Sequence, residues 1–279
     1  MRGRGGIAYA HARMLAWKSR LLARTDAAPL FTASNAAEMQ RVLGALEIRD
    51  PLARLLRIYA MAIRGYPRGA ALFRALLRIR EIENVKLLWR LTAKTSRHDA
   101  LERLWSDLGE LATVEKLDAA TPNALAEALR NTPYASIAAM LARVHGNDVA
   151  AAELALDRWA SQQLREEAQR LPGRETLSRR LIESVIRERD AQLAVRGAKW
   201  FGLATVPAEA FDVVALRRER LRLCRRAFAG SPFFLAPAVA IVLLAEEEVR
   251  AVLALVEREG DTSLDVAMVR ALAASRIGA

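Results

Sequence analysis

The chain has 279 residues, 53% hydrophobic and 27% charged, a globular balance that excludes disorder and allows one large core or several smaller ones in series. Aromatics are 6%, Gly and Pro together 23 residues, and the dominant Ala, Leu, Arg and Glu are strong helix formers, so an all-α fold is predicted. The formal charge of +11 comes from 38 Arg and 5 Lys, and a single cysteine, Cys224, excludes an internal disulfide and suits a reducing compartment.

In chain order, Arg2-Gly-Arg-Gly-Gly6 reads as a frayed N-terminus and leads straight into a charged stretch, without the form of a secretory signal. Ile7 to Leu22 repeats its larger apolar residues at helical spacing. Asn35 with Glu38 has capping-box spacing and opens a short helix to Leu46. Asp50-Pro51 starts the next, which runs to Ile63 and breaks at Gly65-Tyr66-Pro67. A longer periodic stretch spans Pro67 to Thr92, and Ser96 with Asp99 caps a helix ending near Gly109.

Thr121-Pro122 opens a short helix and Asn147-Asp148 a long one to Leu171, stopped by Pro172-Gly173. Two long patterns follow, Glu175 to Leu203 and Pro207 to Phe228. The uncharged run Ala227 to Ala245 is interrupted by Gly230, Pro232 and Pro237, which marks a buried core helix instead of a membrane span. Ser231-Pro232 is a cap, Thr262 and Asp265 form a last capping box, and no segment alternates as a strand would.

Candidate chemistry is sparse. No Gly-rich loop precedes a Lys-Ser or Lys-Thr pair to cradle phosphate, and His11, His98 and His145 lack metal-type partners at helical spacing. Arginines flank Cys224 in Arg222-Leu-Cys-Arg-Arg226, but no histidine nearby completes a nucleophilic pair, so a buried thiol is expected. Glu246 to Glu248 read as a helix-start charge cluster favoured by the macrodipole. No catalytic residue, cofactor, metal or small-molecule substrate is expected.

Three helices carry a related phrase: Arg80-Glu-Ile-Glu-Asn-Val-Lys-Leu-Leu-Trp-Arg90, Arg187-Glu-Arg-Asp-Ala-Gln-Leu-Ala-Val-Arg196 and Glu246-Glu-Glu-Val-Arg-Ala-Val-Leu-Ala-Leu255. Asp190 falls at the place of Asn84 and Arg196 at that of Arg90, a weak internal repeat whose third copy lacks the closing Arg. Glu83 and Arg90 lie two turns apart on one face, where organising helix packing is the plainest role.

The opening Tyr9-Ala-His-Ala-Arg-Met-Leu-Ala-Trp-Lys-Ser-Arg-Leu-Leu22 resembles that of the C-type (also called d-type) subunits of rotary A/V-type ATPases. The phrase at 83 to 88 looks like that family's first repeat helix, and Ser231-Pro-Phe-Phe-Leu through Arg250 is similar to its last. The resemblance implies three related helical subdomains, over 1–110, 111–205 and 206–279, in a funnel-like, pseudo-threefold architecture. It further implies a non-catalytic rotor subunit that joins the central stalk shaft to the membrane rotor ring and transmits torque for proton or sodium transport. Such a subunit sits in the cytoplasm, peripheral on the inner face of the cell membrane. Tyr9, Arg13, Arg20, Glu83, Asn84, Arg90, Asp190, Arg196 and Glu248 are then the candidate structural or interface residues.

The rival reading is a basic, all-helical nucleic-acid-binding or regulatory protein, prompted by the charge and the Arg-Gly start. Arg179-Arg180, Arg217-Arg218 and Arg225-Arg226 would supply its basic surface. A genome that writes Arg for Lys accounts for the same charge, and solvated helix faces account for the pairs, so nucleic acid is not the expected partner.

Overall fold

A computed structural model describes residues 3–18, 21, 41, 51–92, 121–141, 149–201, 212–231 and 233–256. All regular structure among them is helical: α1 (Gly3–Lys18), α2 (Pro51–Gly65), a 3-10 turn (Pro67–Gly69), α3 (Ala70–Thr92), α4 (Pro122–Leu129), α5 (Ala135–Leu141), α6 (Val149–Gln169), α7 (Thr176–Phe201), α8 (Val213–Phe228) and α9 (Ala236–Val256). The predicted all-α class is what the chain adopts. Of the helix expected at Asn35 to Leu46 only Arg41, which is helical, is described; the helix expected at Ser96 to Gly109 and the capping box at Thr262 lie outside the described residues.

Contact density divides the chain into two compact units. The first comprises Met1–Phe73, Leu171–Val185 and Asp212–Ala279; the second comprises Arg74–Arg170 and Ile186–Phe211. The expected divisions after residues 110 and 205 both fall outside the described residues.

In the first unit α9 packs against α1, α2 and α8, which explains why residues 235 to 249 are buried without interruption. A helix surrounded by others is apolar on all sides, and Pro237 sits near its N-terminus, where a missing N–H costs little. Gly65 permits the close crossing of α1 and α2, since a Cβ there would stand 2.5 Å from the Ala10 Cβ. Helix α1 begins at Gly3, a turn before Ile7. Asp212 caps α8, its carboxylate accepting from the Ala215 N–H at 2.8 Å, so that helix starts well past Pro207.

In the second unit the core gathers Ile82, Val85 and Trp89 of α3, Leu125 and Leu129 of α4, Tyr134, Ile137 of α5, and Leu156, Ala160 and Leu164 of α6. Thr121 caps α4 through its hydroxyl, which accepts from the Ala124 N–H at 3.2 Å. Tyr134 packs its ring 5.5 Å from that of Trp159 and donates its hydroxyl to the buried carboxylate of Glu81.

Candidate functional site

Helix α6 turns an apolar face of Ala152, Leu156, Ala160, Leu164 and Ala168 into the second unit, and the same side carries Glu153, Asp157 and Ser161, all buried. Their spacing of four residues aligns them in one row along the helix. A buried carboxylate is tolerated only when paired and hydrogen-bonded, and the partners come from α3 and α7. Lys86 reaches Asp157 at 2.7 Å, Arg189 at 2.9 Å and Arg196 at 2.8 Å. Arg189 also donates to Ser161 at 3.1 Å, and Arg90 pairs with Glu153.

This cluster carries more cations than anions at its centre, and Glu83, bonded to Lys86 at 2.8 Å, adds a balancing charge from its exposed rim. Burial lowers the Arg189 pKa against the opposing pull of Asp157. The bond to Glu153 raises that of Arg90, with burial opposing. A small cleft of about 20 Å3, lined by Glu83, Asp157, Arg189, Gln192, Leu193 and Arg196, is large enough for about one water molecule.

The first unit holds its charges on α9. Glu246, Glu247 and Glu248 are all buried and each has a different partner. Glu246 accepts the hydroxyl of Tyr59; Glu247 pairs with Arg220 at 2.9 Å and Arg250 at 3.1 Å; Glu248 pairs with Arg54 at 3.1 Å. The expectation of a helix-start cluster is therefore corrected. The helix begins ten residues earlier, at Ala236, and the three carboxylates lie in its interior, where partners from neighbouring helices hold them and the macrodipole of the first turn has no part. Arg220 is buried in turn, and desolvation lowers its pKa against the pull of Glu247.

At the other end of the same unit, Glu175 immediately precedes α7 and is buried. Its carboxylate accepts from Ser178 at 2.6 Å and from the Leu235 N–H, just ahead of α9, at 3.1 Å. One side chain thus serves the N-termini of two helices. Cys224 is buried, and desolvation pushes its thiol up to about 12 despite Arg220 nearby, which makes it a poor nucleophile.

The residues singled out by the sequence are placed as follows. Tyr9 is exposed on α1 with the Arg13 guanidinium 5.6 Å from its ring centroid, and Arg20 lies outside the described residues. Glu83 and Arg196 line one cleft. Arg90 and Arg196, equivalent in the repeat, both bond carboxylates of α6, on Glu153 and Asp157. Asn84 is buried; Asp190 pairs with Arg165 and Glu248 with Arg54. Sequence reasoning missed Lys86, Glu153, Asp157, Arg189 and Arg220. The signal for two of them was present in the row Glu153, Asp157, Ser161 along an otherwise apolar face.

Among the described residues, no three His, Cys, Asp or Glu side chains are grouped to hold a metal ion. No helix among them is long and apolar enough to cross a membrane. The family model described as ATP synthase (C/AC39) subunit matches residues 10–212, a range that contains the first two repeat phrases and ends before the third. No curated protein and no solved structure matches the chain.

Proposed function

The chain belongs to the ATP synthase (C/AC39) subunit family, and from that premise we propose that it is a non-catalytic rotor subunit of an A/V-type ATPase, linking the central shaft to the membrane rotor ring. In this role it transmits torque between nucleotide chemistry carried out elsewhere and the movement of protons or sodium. Three related subdomains around a pseudo-threefold axis, seated on the cytoplasmic face of the membrane ring, belong to the same proposal.

The observation that carries the reading is the family match over residues 10–212. The charge networks give it a physical rationale. A coupling part must resist the sliding of one helix past another under load. Shifting α6 by one turn against α3 and α7 would strand Asp157 and its partners Lys86 and Arg189. Leaving a buried charge uncompensated costs roughly 3–5 kcal/mol. The interior Glu246 to Glu248 set, held by Tyr59, Arg220 and Arg54, resists sliding of α9 in the same way. Tyr9, Arg13, Asn84, Asp190 and the other singled-out residues serve in this proposal as internal ties or as contacts to the shaft and ring.

Co-purification provides the test. Native membranes solubilised in mild detergent should yield the chain in one particle with the ATPase catalytic head and rotor ring. Its deletion should leave ATP hydrolysis by the head uncoupled from ion transport. A chain that sediments free of any membrane ATPase, and shifts nucleic acid at physiological salt, would establish the nucleic-acid-binding reading in its place.

A further inference from the structure

We infer that a cleft formed by the ends of α7, α8 and α9 binds a small primary ammonium group, held by the buried carboxylate of Glu175. The inference goes beyond the rotor-subunit reading and does not depend on it. The cleft, of about 40 Å3, is lined by Glu175 and Ser178 at the start of α7, Ala227 and Ser231 at the end of α8, and Phe234 and Pro237 at the start of α9. Arg174 and Gly230 also line it, and both are exposed, which brings it to the surface. That volume admits about three water-sized groups, enough for an ammonium with one or two carbons and too little for a guanidinium on its stem.

Glu175 differs from other buried carboxylates of the chain. Glu153, Asp157, Glu247 and Glu248 each meet an arginine or a lysine. Glu175 meets neutral donors alone: the Ser178 hydroxyl at 2.6 Å, and the Leu235 N–H, which reaches its two oxygens at 3.1 and 3.3 Å. An ionised carboxylate offers about four acceptor positions, so two donors leave part of that capacity unused. Burying a carboxylate without a cation is costly. The N-termini of α7 and α9 offset part of its charge, and the C-terminal carbonyls of α8 add negative potential from another wall of the cleft.

The shape and chemistry of the cleft select among cations. Among the described residues no three His, Cys, Asp or Glu side chains are grouped to hold a metal ion, and calcium or magnesium demands about six or more oxygen ligands. A primary ammonium brings three N–H donors and no acceptor, and Glu175, Ser178 and Ser231 bring oxygen acceptors to one cleft. The Ser178 hydroxyl gives its proton to Glu175 and keeps its lone pairs for such a donor. Ala227, Phe234 and Pro237 form apolar walls that suit a carbon stem, which a bare sodium or potassium ion lacks. Arg174 at the rim suits an anion, but the carboxylate in the same cleft opposes one. A free alkylamine and the tip of a lysine side chain present the same group.

Isothermal titration calorimetry of the full chain near neutral pH provides the test, with ethylammonium chloride as the probe and tetramethylammonium and sodium chlorides as controls of equal charge. Ethylammonium should bind in the millimolar range, and the controls should give no saturable heat. Glu175→Gln keeps the shape and should weaken binding by about tenfold or more, as a charge-assisted hydrogen bond becomes a neutral one. Ser231→Leu fills the cleft, leaves both donors of Glu175 in place and should abolish binding; it carries the test if Glu175→Gln does not fold, as thermal unfolding without ligand would reveal. Arg174→Gln removes a like charge and should tighten binding or leave it within about threefold. A capped lysine, N-acetyl-lysine methylamide, separates the sources: tighter binding than ethylammonium identifies a protein lysine, and weaker binding a free amine. Absence of saturable heat from both ligands, equal binding of tetramethylammonium, or unchanged affinity in Glu175→Gln and Ser231→Leu would overturn the inference. So would a loss in Arg174→Gln as large as that in Glu175→Gln, which marks an anion site. None of these outcomes bears on co-purification with the ATPase, so the cleft and the family role stand or fall separately.

Discussion

Replacing Asp157 by Asn tests whether the second unit is organised around one carboxylate. Asp157 accepts from Lys86, Arg189 and Arg196 at 2.7, 2.9 and 2.8 Å. The contributions differ with exposure. The Arg196 side chain is 42% exposed, so its share falls in the range of a solvated pair, about 0–1 kcal/mol. Those of Lys86 and Arg189 are 2% and 13% exposed, and removing their common anion leaves two cations desolvated with only Glu83 and Ser161 in reach. Losing one partner of a buried pair costs roughly 3–5 kcal/mol. The Asn carbonyl still accepts a hydrogen bond, which places D157N near the lower end, about 3 kcal/mol.

Lys86→Met should cost clearly less, because Asp157 then keeps both arginines. The double variant should cost less than the sum of the two singles, since the positive charge stranded by D157N is gone. Urea titration read by tryptophan fluorescence measures this, with Trp89 and Trp159 in the same unit as the cluster. A whole domain is stable by only about 5–15 kcal/mol, so the shift is large enough to resolve. The reasoning fails if D157N falls within about 1 kcal/mol of the wild type, or if K86M costs as much as D157N.

Gly65→Ala should destabilise by about 1–3 kcal/mol, because the new Cβ meets the rigid Ala10 Cβ at 2.5 Å. Gly69→Ala meets the flexible end of Leu235 at 2.7 Å and should cost less; thermal denaturation of the pair gives the order. Glu175→Ala strands the Leu235 N–H and the Ser178 hydroxyl, worth about 1–3 kcal/mol, and Glu175→Gln should recover part of that loss in the same melt. For Cys224 the folded thiol titrates at about 12 against an ordinary 9.0, so the unfolded chain gives up its proton first as pH rises. Its stabilising effect is whole below pH 9.0 and is lost progressively towards about 12. Cys224→Ala should flatten the stability-against-pH curve over that interval, and a thiol reagent should label the wild type only after unfolding.

Helix boundaries were largely legible because their signals are local. Asp50-Pro51, Thr121-Pro122 and Pro172-Gly173 each mark an end that the chain adopts, since caps and prolines act on the backbone within one turn. Helix α5 was missed: at Ala135–Leu141 it is too short for a periodicity to declare itself. Glu246 to Glu248 were misread because charge was allowed to set the start of the helix, when Pro237 was the better start signal. The partners of Asp157 could not be read at all. Lys86 is 71 residues away and Arg196 is 39, and only the packed arrangement of α3, α6 and α7 brings them together. What the sequence did hold was the row of Glu153, Asp157 and Ser161, a polar stripe on a face otherwise built for burial.

The third repeat phrase, which lacks the closing arginine, is best understood through these same pairs. In the second unit the repeat helices α3 and α7 supply the cations, Arg90 and Arg196, and the neighbouring α6 supplies the carboxylates one turn apart. In the first unit the repeat helix α9 supplies the carboxylates, and its neighbours α2 and α8 supply Arg54 and Arg220. The polarity of the tie is exchanged while the tie itself is kept. An arginine at the closing position of α9 is not needed to neutralise anything, because Glu247 already has Arg220 and Arg250. The exchange also explains why the overall charge of +11 says so little when read from the sequence alone. Carboxylates drawn into the interior of the first unit hold Arg54, Arg220 and Arg250 with them, and the exposed arginines that carry the excess are spread over several helices, among them Arg57 and Arg64 on α2 and Arg218 and Arg222 on α8.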